Sequence, residues 1–125
     1  MGYTSEVSLT IENAAFTELL KKAKIENADA FELIETAAIY QTDKFTTLHF
    51  DSVKWYEDYG DVRFIEDFMR SVPYVFKRIG ESSDDTEELC GDVSDYGMYD
   101  CVYLIRSLDV ENAGNRIILT EQEAA

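Results

Sequence analysis

The sequence predicts an α+β fold: a ferredoxin-like β-α-β-β-α-β core with helices on one face of a mostly antiparallel sheet, plus one or two extra C-terminal strands. Three observations carry that expectation. Stretches of period-two alternation and of helical periodicity follow one another in that order. The chain has 125 residues, the length of a single domain spanning 1–125. Hydrophobic residues make up 46%, with seven Phe, eight Tyr and one Trp, enough for a packed core despite a formal charge of −15.

The first strand is read at 5–12, where Val7, Leu9 and Ile11 share one face. In "NAAFTELLKKAKI", Phe16, Leu19, Leu20 and Ala23 recur at helical spacing. Asn13 is the expected N-cap, and Lys21, Lys22 and Lys24 suit the helix's negative end. Asp29 and Glu32 have the spacing of a capping box and open a short helix through Phe31 and Ile34. The period then changes. A short strand at 37–41 and a longer one at 45–55 flank a turn at Thr42-Asp43-Lys44. Leu48 and Phe50 fall on one side, His49 and Asp51 on the other.

The clearest helix is "EDYGDVRFIEDFMRSVP". Val62, Ile65, Phe68, Met69 and Val72 form its apolar stripe, with Glu66, Asp67 and Arg70 outside it. Asp58 or Asp61 is placed to cap its start, and Pro73 stops its end. A strand follows at 74–79. Residues 81–97 read as an acidic loop. A two-sided apolar run at 98–108 reads as a central strand, with Cys101, Tyr103 and Ile105 against Val102 and Leu104. "ENAG" turns the chain into an edge strand at 115–120, and 121–125 forms a soft tail.

With 26 acids against 11 bases, the chain should repel nucleic acid and anionic membranes directly. No apolar run is long enough to span a bilayer. The N-terminus lacks the basic and apolar regions of a signal peptide, and the two cysteines make no disulfide framework. These features predict a cytoplasmic protein. Cys101 reads as core, and Cys90, amid carboxylates, as a poor nucleophile.

The motifs of cofactor chemistry are missing. Cys90, Cys101 and His49 lack a Cys-x-x-Cys ligand pair, "DDTEELCGDVSD" lacks the order of a calcium loop, and no Gly-rich phosphate cradle is present. The expectation is therefore no metal, no cofactor and no catalytic residue. His49, with Thr47 and Asp51 two positions either side, reads as a surface or rim histidine. It is the residue on which an alternative reading, a small metal-dependent or histidine-using hydrolase, would rest.

Acid clustering points elsewhere. Residues 81–100 carry eight acids and no Lys or Arg, and 57–67 carry five acids against Arg63. Asp84, Asp85, Glu87, Glu88, Asp92 and Asp95 are the candidate partner-binding residues of the first cluster. Glu57, Asp58 and Asp61 are those of the second, with Trp55 and Tyr59 as aromatic anchors. Together they predict a non-enzymatic module for a basic protein, in its sharpest form a nucleic-acid-binding enzyme whose phosphate sites the carboxylates would occupy. The whole chain resembles the small acidic accessory proteins of bacteriophages and mobile elements, in size, charge and fold type but through no motif. Some of those proteins inhibit host nucleases or CRISPR effectors by imitating nucleic acid. The resemblance implies an inhibitor and assigns no residue. A further alternative is a structural or regulatory homodimer joined through the "NRIILT" edge.

Overall fold

In the computed structural model, which describes residues 3–119 other than 83, 94 and 105–107, β1 (Ser5–Glu12) forms the middle of a six-stranded antiparallel sheet. It pairs with β3 (Phe45–Val53) on one side and β4 (Tyr74–Gly80) on the other. Outside these lie β2 (Ala38–Gln41) beside β3 and β5 (Thr86–Gly91) beside β4, and β8 (Asn115–Ile117) adds to β2 as an edge. The inner order β4-β1-β3-β2 is that of the expected ferredoxin-like core.

Helices α1 (Asn13–Glu26), α2 (Ala28–Glu35) and α3 (Gly60–Met69) all cover one face. Phe16, Leu19 and Leu20 of α1, Ile34 of α2 and Val62 and Ile65 of α3 meet Val7, Leu9, Ile11, Leu48 and Phe76 from the sheet. Alternation within each strand sends these side chains to the same side. The caps differ from expectation. Asn13 begins α1 and bonds to the Thr42 carbonyl and the Thr46 hydroxyl. Asn27 caps α2 through a bond from the Ala30 N–H, because it is the residue directly before the helix while Asp29 is already inside it. Tyr59 precedes α3, with no side-chain cap.

The second face is covered by the C-terminal segment. The strand expected at 98–108 is replaced by a 3-10 helix at Tyr96–Cys101, then β6 (Tyr103–Leu104) and β7 (Leu108–Asp109), which pair only with each other. Met98, Cys101, Val102, Leu108 and Ala113 pack against Phe45 and Val75. Its described residues Met98, Cys101, Val102 and Leu108 are buried as a lid over the sheet, and Ile105 lies outside the described residues. The expected loop at 81–97 holds β5, an edge strand in which exposed Thr86, Glu88 and Cys90 alternate with half-buried Glu87, Leu89 and Gly91. Gly114 has φ +97°, and a Cβ there would strike the Gln41 carbonyl where β8 joins β2. The expected tail at 121–125 lies outside the described residues. Among those residues no helix is long and apolar enough to cross a membrane.

Candidate metal centre

On the lidded face, β1 and β3 present mostly polar side chains. Thr10 and Thr47 share a hydroxyl hydrogen bond of 2.9 Å, both buried. The next cross-strand pair is Ser8 and His49. Beyond it the register slips: Ser5 faces Val53 while Val7 faces Phe50, so two steps on β1 oppose three on β3. This bulge brings Glu6 to the His49–Asp51 stretch.

His49 Nε2 lies 2.7 Å from Glu6 Oε2 and 3.8 Å from Asp51 Oδ1, and one ligating atom from each residue falls within 4.8 Å of the others. The His49 side chain is only 10% exposed and that of Asp51 is 93% exposed, so the cluster runs from the interior to the surface. The Leu108 N–H donates to the same Glu6 oxygen at 3.2 Å, which ties the lid to the cluster. His49 and Asp51 line a cavity of about 420 Å³ with Thr36, Tyr40, Ser52 and Arg116. Beside His49 in register, the buried Ser8 hydroxyl has no hydrogen-bond partner among the described residues.

Two expectations are corrected here. His49 is no exposed surface histidine: its side chain is only 10% exposed, against Glu6 of β1. The expectation that the chain is not an enzyme is overturned by the Glu6–His49–Asp51 cluster, a ligand set compatible with a metal-binding active site. Neither cysteine belongs to that set. Cys101 is buried, and burial pushes its thiol up, away from nucleophilic use.

Several of the expected partner-binding acids pair with the chain's own cations. Asp85 and Glu87 bind Arg78, Glu88 lies 3.8 Å from Lys77, and Asp95 lies 3.3 Å from Lys44. Asp84 and Asp92 are exposed, with no salt bridge among the described residues. Asp58 and Asp61 line a groove of about 600 Å³ with Asp29, Glu32 and the exposed Tyr59. Glu57 lies instead in a separate cavity, shared with Trp55, Asp85 and Glu87. Trp55 is 8% exposed and donates its indole N–H to Glu66 at 2.9 Å. Glu66 itself is buried, contrary to its expected place outside the stripe, because Trp55 meets it across the helix.

Hydrogen bonding from Arg78, then from the Tyr3 hydroxyl, holds the Asp85 carboxyl below the usual carboxylate range. The Gly97 N–H, then Lys44, does the same for Asp95. A depressed folded value stabilises above the unfolded value and is lost as pH falls through the folded one. The difference in melting temperature between wild type and Asp85→Asn should be present at about pH 6 and should close below about pH 4. A difference that persists unchanged in acid would contradict the ionic account.

No protein-family description, curated protein or solved structure matches this chain.

Proposed function

We propose that Glu6, His49 and Asp51 bind a divalent cation and that the chain is a small metal-dependent hydrolase. The observation that carries this reading is the convergence of three donors within 4.8 Å of one another, two of which, His49 and Asp51, line a polar cavity. One imidazole nitrogen and two carboxylate oxygens suit zinc or manganese, and the two carboxylates balance the ion's charge. Bonds of about 2.0–2.2 Å put tetrahedral donors about 3.4 Å apart. The separations of 2.7 and 3.8 Å bracket that value, so small side-chain movements form the site. Three protein ligands leave a position for water, as in catalytic sites. A bound dication lowers the pKa of such a water towards about 7 and so supplies hydroxide at neutral pH. Arg116 faces Tyr40 across the β8–β2 pair and lines the same cavity, where its guanidinium favours an anionic ester. The two free cysteines support a reducing, cytoplasmic setting.

Calorimetric titration with Zn²⁺ and with Mn²⁺, followed by assay of the loaded protein on nitrophenyl phosphate and nitrophenyl acetate, tests the reading. Stoichiometric binding with metal-dependent turnover is expected. Absence of stoichiometric binding by either ion would remove it.

The groove between α2 and the start of α3 favours a second role for the same chain, docking of a basic protein such as a nucleic-acid-handling enzyme. Its lining includes four carboxylates and no Lys or Arg, which favours cationic segments. A Glu32→Lys/Asp58→Lys variant should bind a decalysine peptide several-fold more weakly than wild type at low salt, with the gap closing near about 0.5 M as screening sets in. Equal binding at low salt would exclude the groove. Reversing Asp85 or Glu87 is a poorer test, since both hold Arg78.

A further inference from the structure

A carboxylate is rarely buried unless it is paired, yet Glu66 in the middle of α3 is 8% exposed. One of its oxygens accepts the Trp55 indole N–H. The other has no hydrogen bond among the described residues, and Glu66 lines a cavity of about 340 Å³. Its natural intrahelical partner would be Arg70, one turn on. Arg70 stays exposed on the same lining and forms no salt bridge with it.

The rest of the lining sets the chemistry. Trp55, Tyr56 and Leu89 supply aromatic and apolar wall. The Trp55 ring is fixed by Phe50 and Phe76 at centroid distances of 5.5 and 5.9 Å, and Tyr56 by an edge contact with Tyr59 at 5.0 Å. Four carboxylates (Glu57, Glu66, Asp85 and Glu87) face two guanidiniums (Arg70 and Arg78), which leaves two net negative charges. Asp85 and Glu87 are already spent on Arg78, at 2.7 and 3.2 Å. Glu57 and Glu66 are the carboxylates with open oxygens. An anion would find only one uncommitted guanidinium here, against these two acids.

We propose that this cavity binds a guanidinium group, held by Glu66 and Glu57 beside the aromatic wall of Trp55 and Tyr56. A planar guanidinium pairs with a carboxylate through two parallel N–H bonds and stacks on aromatic rings; a compact ammonium does neither as well. The ligand is either a free arginine-like molecule or an arginine side chain of a partner protein. The site is separate from the Glu6–His49–Asp51 cluster and stands or falls without it.

Trp55 is the protein's single tryptophan, so its fluorescence reports directly on the cavity. The full chain should be titrated with N-acetyl-arginine amide, with a Gly-Gly-Arg-Gly-Gly peptide and with the lysine versions of both. A saturable Trp55 signal is expected, with arginine ligands ahead of lysine ones. Equal affinity of the two arginine ligands identifies a small-molecule site, and a clear gain for the peptide identifies a partner's arginine. Glu66→Gln keeps an acceptor for the indole N–H and removes the charge, and it should weaken binding about tenfold or more. Glu57→Gln provides the same reading at an exposed position should Glu66→Gln fold poorly. No saturable signal in the wild type at millimolar ligand, or unchanged affinity in both variants, would overturn the proposal.

Discussion

Replacing Phe76 by alanine should lower the unfolding free energy by about 3–5 kcal/mol, the usual cost of a large buried ring. Phe76 is 0% exposed, sits opposite Leu9 of β1 and Leu89 of β5, and packs its ring against Trp55. It therefore joins the sheet centre to the residue that closes the helical layer. No neighbour can fill the space cheaply, since Leu9, Ile65 and Met69 are themselves fully buried and held by their own elements. Urea unfolding monitored by circular dichroism measures the loss, which is a large part of the roughly 5–15 kcal/mol available to an ordinary domain. Tyr96→Ala is the control: that ring is 78% exposed, and its removal should stay within about 0.5 kcal/mol. A Phe76→Ala cost below about 1 kcal/mol would mean that the helical layer does not close on β4 as described.

The layer that Phe76 joins was the part most legible in the sequence. Val7, Leu9 and Ile11 alternate strictly, and Val62, Ile65, Phe68 and Met69 repeat at helical spacing, because each element buries one face against one partner. The lid was misread for the same reason in reverse. A segment that crosses over a sheet without joining it is apolar on more than one side, and periodicity cannot tell it from a central strand. Glu66 was misplaced because a helical wheel assigns polarity by residue type; the indole that makes burial tolerable comes from outside the helix, at Trp55. The Glu6–His49–Asp51 cluster was half visible. His49 and Asp51 share a strand face by simple alternation. Glu6 joins them only through the β1–β3 register and its bulge, a long-range fact that local pattern does not contain. The acidic stretch at 81–100 was legible as charge, but its own cations were not, since Lys44, Lys77 and Arg78 reach it from other strands or the turn before β3.

Asp51→Asn should weaken zinc or manganese binding by at least about tenfold, the lower end of what even outer-shell changes cost at metal sites, while leaving the metal-free protein folded. The second half of that expectation is what makes the variant informative. The Asp51 side chain is 93% exposed, so its loss removes a donor and a charge without opening the core. His49→Ala should abolish stoichiometric binding, because the imidazole is the central donor and the nearest to both carboxylates. That variant also leaves Glu6 without its closest partner, so its stability must be measured alongside. Glu6→Gln separates the two effects, since the amide oxygen can still accept from the Leu108 N–H but contributes no charge to a dication. Metal binding at protonatable ligands releases protons, so affinity should fall as the pH is lowered. Calorimetry across this series distinguishes a built site from adventitious binding to an acidic surface. Surface binding would be insensitive to Asp51→Asn, one carboxylate among 26 acids, and would vanish in salt. A three-ligand centre loses most of its affinity with that one substitution and keeps it in salt, and only that result leaves a metal-bound water for hydrolysis.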